Sequence, residues 1–214
     1  ENNGVYGLTK GQFSPTAEDG LKLKYAGTNP FPPVDMCAEA LISGAGFVAR
    51  AFAGDAKQLR ELLKAALAYD GIAIIDIVSP CVAFNNDDDS RHSYAYGRSN
   101  EVPLEDIGWV PPQEDITLDD HVPGETRVIE LHDGSRIALA KIEEGYDPSD
   151  LGAALMRIQS AERNGEIITG LLYYDDQRSH LAETLGLGET ALVDLPPERL
   201  RPSPEALARR LARY

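Results

Sequence analysis

Cysteine is scarce in this chain: Cys37 and Cys81 are the two present among 214 residues. Two thiols cannot staple a small secreted scaffold, which argues against a disulfide framework. Positive charge is also short. Lysine and arginine number 20 against 35 aspartates and glutamates, giving a net charge of −15. Nonspecific nucleic-acid binding rests on cations that neutralise phosphates, so this balance disfavours it. No run of about 18 apolar residues occurs, so no membrane-spanning helix is expected. No signal-peptide pattern opens the chain. The four histidines, His92, His121, His132 and His180, share no spacing that suggests a metal site, and a surface role is expected for each. Internal repeats, a catalytic triad and an obvious carboxylate pair are all missing.

What is present is enough apolar material, 43% of residues, for one substantial core. Glu1 to Pro33 reads as loop, closed by Pro30, Pro32 and Pro33. Asp35 to Ser43 reads as a short helix ended by Gly44, with Cys37 assigned to packing. Phe47 to Phe52 reads as a strand. Asp55 is a plausible N-cap for a helix carrying Leu59, Leu62, Leu63, Ala66 and Leu67 as an apolar stripe, stopped at Gly71. Ile72 to Val78 is nearly all apolar, as expected of a strand covered on both faces. Strand, helix and strand make a βαβ unit of a parallel sheet, whose ligands belong at the carboxyl ends of the strands.

Beyond this the pattern weakens. Phe84 to about Asp120 is polar, proline-rich and irregular. It reads as an arm, with Tyr94, Tyr96 and Trp109 either anchoring it to a partner or packing on this chain's own core. Asp87-Asp88-Asp89 reads as a solvated loop. Thr126 to Leu131 and Arg136 to Lys141, around Asp133-Gly134, predict a β-hairpin. Asp147-Pro148-Ser149 opens a helix bearing Leu151, Leu155 and Ile158. Glu166 to Tyr173 is strand-like, and Pro204 begins a final helix. The cluster Arg199, Arg201, Arg209 and Arg210 reads as a solvated helix face, the alternative being a docking patch for an acidic partner.

The chemistry concentrates in Glu1 to Thr16. Asn2-Asn3-Gly4-Val5-Tyr6-Gly7-Leu8-Thr9-Lys10-Gly11-Gln12 offers backbone N–H groups, an amide oxygen and a cation. Those are the parts needed to hold a pyrophosphate and its magnesium. Gly4 and Gly7 suit a backbone that turns tightly against a ligand. Asn-Gly alone is also a common surface turn. Cys81, in Ser79-Pro80-Cys81 after the apolar strand, is a second candidate; taken by itself a lone cysteine is more often inert packing.

The segment Asn2 to Gln12 resembles the thiamine-diphosphate loop of the β subunit of 2-oxoacid:ferredoxin oxidoreductases. The similarity continues through Ser14-Pro15-Thr16, Gly20 to Tyr25, Asp76 to Cys81, Thr169 to Tyr173 and Leu200 to Pro204. The family's Gly-Asp-Gly motif and three further cysteines are not in this sequence, which is therefore read as the C-terminal part of such a subunit.

The resemblance implies an α/β thiamine-diphosphate-binding fold, a parallel sheet flanked by helices, with an irregular C-terminal arm carrying a β-hairpin. Residues 1–83 would belong to the cofactor-binding domain and 84–214 to the arm, hairpin and helical extension. It implies that Asn3 and the carbonyl of Val5 ligate Mg²⁺, that Gly7, Leu8 and Thr9 meet the diphosphate with Lys10 close by, and that Cys81 is one ligand of a [4Fe–4S] cluster. The implied activity is CoA-dependent oxidative decarboxylation of a 2-oxoacid with reduction of ferredoxin. The Leu-Thr-Lys-Gly-Gln form of the loop favours 2-oxoglutarate over pyruvate, and Lys10 or Lys24 could meet a distal carboxylate. The partners implied are the α subunit, as a heterodimer or an α2β2 assembly, and ferredoxin. The redox chemistry implies the cytoplasm. The rivals are a non-redox thiamine-diphosphate decarboxylase or carboligase, which needs no Cys81, and a non-catalytic fragment that binds the partner subunit.

Overall fold

The elements follow the local sequence. In a computed structural model describing residues 1–88, 90–110, 126–130, 136–141, 146–178, 180–188 and 190–213, the first 33 residues hold four two-residue strands in two antiparallel pairs: β1 (Val5–Tyr6) with β2 (Gln12–Phe13), and β3 (Lys22–Leu23) with β4 (Gly27–Thr28). Helix α1 (Met36–Ile42) starts at Asp35, whose Oδ1 accepts from Ala38 N at 2.8 Å. Strand β5 (Phe47–Phe52) is buried along its whole length. Helix α2 (Ala56–Ala68) starts at Asp55, whose side chain accepts from Gln58 N. Strand β6 (Ala73–Val78) returns parallel to β5, in register from Phe47↔Ala73 to Phe52↔Val78. The expected βαβ unit is therefore present.

Within the segment expected to be irregular, residues 94–103 and 105–110 form regular elements. Ser93 caps α3 (Tyr94–Asn100), which runs into β7 (Glu101–Pro103) and β8 (Glu105–Val110). Tyr94 and Tyr96 are spent on this chain's own core. The Tyr94 ring packs edge-on against Phe52, with centroids 6.0 Å apart, and the Tyr96 hydroxyl donates to Gly165 O at 2.7 Å. Trp109 lies in β8, opposite Ile137. Strands β9 (Thr126–Glu130) and β10 (Arg136–Lys141) pair antiparallel as the hairpin pattern predicts, and β8 joins on the other side of β10. The Asp133-Gly134 turn, His132, His121 and Asp89 lie outside the described residues; Asp87 and Asp88 are exposed.

Asp150, not Asp147, caps α4 (Leu151–Asn164), while Asp147 closes the preceding turn by accepting from Ser149 N at 2.9 Å. Strand β11 (Ile167–Tyr174) then enters the main sheet, buried throughout. The order is β6-β5-β11-β7, with β11 antiparallel to β5 and parallel to β7. Two of the three pairings are parallel, and α1, α2 and α4 supply the helical layers. Gly170 (φ +116°) and a register shift between Leu171 and Tyr173 bend β11. The Glu105 carboxylate bonds Leu171 N there, in space that a Cβ on Gly170 would occupy.

Two apolar clusters fill the two faces of the sheet. One joins α1 and α4 to Val48, Ile168 and Leu172; the other joins Leu62, Ala65 and Tyr69 to Phe47, Ala49 and Leu171. Among the described residues β6 ends the sheet, and its apolar run is half-buried rather than covered on both faces: Ala73, Ile74, Ile75 and Ile77 are all intermediate, and Ile72 just before it is 65% exposed.

Residues 1–178 form one compact unit and 179–214 a second. The second contains α5 (Leu181–Thr184), a single 3₁₀ turn at Leu192–Asp194, α6 (Pro197–Leu200) and α7 (Pro204–Leu211). Among the described residues no helix is long and apolar enough to cross a membrane.

Candidate functional site

The N-terminal loop is fastened at the carboxyl end of β6. Asn2 N donates to Ile77 O at 2.7 Å, and Ser79 N donates to Asn2 O at 2.9 Å. The Ser14-Pro15-Thr16 stretch ties the loop from the other side. Thr16 Oγ1 donates to Asn2 Oδ1 at 2.6 Å, and Ser14 N to Gly4 O at 3.0 Å. Asn3 therefore stands one residue beyond a fixed bridge, with its Oδ1 accepting from Val5 N at 3.2 Å. Gly4 takes φ +73°, and Val5 is buried opposite Phe13.

The next turn projects outward. Lys10 N donates to Gly7 O at 3.1 Å and Gly11 N to Tyr6 O at 3.0 Å. The N–H groups of Leu8 and Thr9 stand outside these closing bonds. Leu8 is 99% exposed, an unusual position for a leucine in a folded chain. Thr9 Oγ1 is 2.5 Å from Gln12 Oε1, and Lys10 takes φ +78°, a left-handed conformation that costs a non-glycine residue strain.

Cys81 lies against this loop. A Cβ built on Gly7 would stand 3.6 Å from its Sγ. The Cys81 turn is closed by Cys81 N donating to Asn85 O at 3.1 Å and Asn85 N to Cys81 O at 2.7 Å. The thiol is half-buried beside an apolar cluster of Val5, Ala17, Leu21 and Leu23. Cys37, as expected, is packing: it is fully buried, burial raises its thiol above the ordinary range despite the neighbouring Arg50 charge, and its Sγ is 3.5 Å from Ala49 O.

The expected site residues Asn3, Val5, Gly7, Leu8, Thr9 and Cys81 thus belong to one end of one sheet. The oxygens of Asn3 and Val5 are hard donors that suit Mg²⁺ but are too few for an octahedron, so a diphosphate and a further carboxylate would have to complete it. The exposed Gly7–Lys10 turn suits a diphosphate. For an iron–sulfur cluster the described residues offer a single accessible thiol, and no group of three or more His, Cys, Asp or Glu among them could hold a metal ion. Cys81 could be no more than one ligand among four. Of the two lysines weighed for substrate choice, Lys10 is exposed in the turn, and Lys24 Nζ sits 5.1 Å from the Tyr25 ring centroid beside a groove that Phe84 and Asn85 also line.

Sequence reading missed a buried polar group next to this loop. His92 is not at the surface; it is 6% exposed, with Nδ1 3.5 Å from Glu18 Oε2. Glu18 also accepts from Arg91 N at 3.1 Å. Asn29 is buried and its Nδ2 bonds the carbonyls of Ala17, Glu18 and Phe31, which shapes the loop from within. Arg50 is buried in β5 and reaches Asp76 Oδ2 at 3.0 Å through Nε and Asp35 Oδ2 at 2.7 Å through Nη2. Burial works against its charge, the paired carboxylates of Asp35 and Asp76 act the other way, and the net direction is upward. A cavity of about 100 Å³ lies among Asn2, Glu18, Arg50, Asp76 and His92. The long pairings, 15 and 26 positions for Arg50 with Asp35 and Asp76 and 73 for Arg91 with Glu18, are ones that no local pattern carries.

Residues 1–77 match the family described as thiamine pyrophosphate enzyme, C-terminal TPP binding domain. A 2-oxoacid:ferredoxin oxidoreductase β subunit of Saccharolobus solfataricus is 42% identical over 112 residues, covering 51% of this chain and 35% of that protein. The 2-oxoglutarate oxidoreductase subunit KorB of Mycobacterium tuberculosis is 43% identical over 89 residues, 40% of this chain and 23% of that protein. A solved 2-oxoglutarate:ferredoxin oxidoreductase from Magnetococcus marinus, with 2-oxoglutarate, coenzyme A and succinyl-CoA bound, superposes with TM-score 0.57 at 28% identity. It covers 91% of this chain and 56% of the solved one. The matched segments span about a third or less of these curated relatives, and the matches fit part of a β subunit.

Proposed function

We propose that this chain, a partial relative of 2-oxoacid:ferredoxin oxidoreductase β subunits, contributes the diphosphate-binding side of a thiamine-diphosphate oxidoreductase. The reaction consumes a 2-oxoacid and coenzyme A, yields an acyl-CoA and CO₂, and passes two electrons to two ferredoxins. When bound, thiamine diphosphate supplies the carbanion-stabilising chemistry that decarboxylation needs. This chain's own residues hold and orient. Asn3 Oδ1 and the Val5 carbonyl offer oxygens to Mg²⁺, the Gly7–Thr9 backbone meets the diphosphate, and Lys10 adds a positive charge.

Cys81 would be one thiolate of a [4Fe–4S] cluster whose other ligands come from outside these residues. Residues 1–83 would carry the cofactor and 84–214 the extension. An α subunit would complete the active site, and the reducing chemistry would place the assembly in the cytoplasm. We take 2-oxoglutarate as the preferred substrate.

The observation that supports this reading most is the place of Cys81 beside the Asn3–Thr9 loop, where a Cβ added at Gly7 would stand 3.6 Å from its Sγ. A non-redox thiamine enzyme has no use for a thiol there. The test is made on the complex purified from its source: iron and thiamine diphosphate content, and viologen reduction with coenzyme A and either 2-oxoglutarate or pyruvate. The expected result is both cofactors present and faster reduction with 2-oxoglutarate. Thiamine diphosphate without iron would overturn the redox assignment.

A further inference from the structure

The cofactor loop carries three glycines, and each faces a side chain of one other segment. A Cβ on Gly4 would meet His92 Cε1 at 3.0 Å and Asn85 Nδ2 at 3.1 Å; one on Gly7 would meet Cys81 Sγ at 3.6 Å; one on Gly11 would meet Phe84 Cδ1 at 2.9 Å. The spacing that reads as a phosphate cradle is thus also a packing surface for residues 81–92. Gly4 and Gly11 could not accept a side chain without displacing that segment, and both have positive φ.

One polar bond joins the two segments where it matters most. Asn85 is 2% exposed, and its Nδ2 donates to Asn3 O at 2.9 Å. The same Asn85 closes the Cys81 turn through its backbone N–H and carbonyl. The Asn3 carbonyl leads into Gly4 and Val5, so the bond fixes the peptide between the two oxygens assigned to magnesium. His92 stands over Gly4, and its buried Nδ1 lies 3.5 Å from Glu18 Oε2 without a hydrogen-bond partner among the described residues.

We propose that Asn85, with His92 over Gly4, is a positioning residue that locks the Asn3–Val5 peptide to the Cys81 turn, so that cofactor loop and thiol move as one body. This rests on the reading of Asn3–Thr9 as the cofactor loop. Partners that orient a metal's ligands typically account for about 10–100-fold in metal affinity when lost. Asn85 bonds the main chain of Asn3 and offers no atom to the metal or the cofactor, so its loss weakens Mg²⁺-dependent cofactor retention without abolishing it.

The test uses the full assembled enzyme and the variants Asn85→Ala and Asn85→Asp. Retention of thiamine diphosphate is followed by equilibrium dialysis across a Mg²⁺ series, alongside the thermal midpoint. Both variants should need about 10–100-fold more Mg²⁺ for half-retention, and excess Mg²⁺ should restore it. Asn85→Asp should fare no better than Asn85→Ala, because a carboxylate cannot donate to the Asn3 carbonyl. Retention at the parent's Mg²⁺ level, or a loss that excess Mg²⁺ does not rescue and that follows the unfolded fraction, overturns the proposal.

Hydrogen exchange on the unaltered enzyme tests it without a variant. Adding thiamine diphosphate and Mg²⁺ should protect amides in both 3–11 and 81–85; protection of 3–11 alone overturns the coupling. If the unaltered enzyme retains no thiamine diphosphate at any Mg²⁺ level, the loop is not a cofactor loop, and the positioning role falls with it.

Discussion

The two cysteines show how position decides chemistry for one side-chain type. Cys37 is enclosed between α1 and β5, where burial disfavours the thiolate and no reagent can approach. Cys81 is half-buried in a turn next to the exposed Gly7–Lys10 loop. The thiolate is both the metal ligand and the nucleophile, so access separates the two residues. Iodoacetamide applied to the folded, cofactor-free chain should therefore label Cys81 and leave Cys37 until denaturant is added. Peptide mass spectrometry reads the outcome, and equal labelling of both thiols in the native chain would contradict the burial described.

At the scale of elements, α2 separates what a sequence can tell from what it cannot. Its existence, its Asp55 cap and its place between two parallel strands are legible, because capping and periodicity are local. Its buried face is only partly so. Of the apolar stripe, Leu62 is buried and Leu59 and Ala66 pack on the same cluster, but Leu63 and Leu67 are 42% and 87% exposed while Gln58 and Ala65 are buried. Leucines stand on both shoulders of this helix, and only the sheet it lands on chooses between faces about 100° apart. Leu62→Ala should cost about 2–5 kcal/mol by emptying a packed site, whereas Leu67→Ala should change stability by about 0.5 kcal/mol or less. Urea unfolding of both variants checks the assignment, and equal costs would place the helix in the wrong rotation. Helix α3 was hidden for a related reason: Gly97 and polar neighbours blur its periodicity, although Ser93 was a usable cap signal. The Asn2–Gln12 loop was legible as a motif. Asn85 and His92 were not, since their meaning lies in Gly4 and Asn3, more than eighty positions earlier.

At the scale of the whole molecule, the two units differ in what supports them. Residues 1–178 carry the sheet and both of its apolar faces. The helices of residues 179–214 bury no side chain, and Leu181, Leu185, Leu192, Val193 and Leu211 are all more than half exposed. Helices α5 and α6 are four residues each and α7 is eight, all below the roughly 12–15 residues at which an isolated helix becomes marginal in water. A segment this short also falls under the roughly 40 residues at which a core can stand alone. Helix α7 is the best equipped: Ser203 Oγ accepts from Ala206 N at 3.1 Å, Glu205 occupies the first turn, and Arg209 and Arg210 complement the dipole in the last. A synthetic peptide of residues 179–214 should consequently be largely unfolded by circular dichroism in buffer, with residual helical NMR shifts confined to 204–211. Stable helicity across 181–200 in the free peptide would mean that local sequence suffices to fold the segment, and the requirement for packing argued here would be wrong.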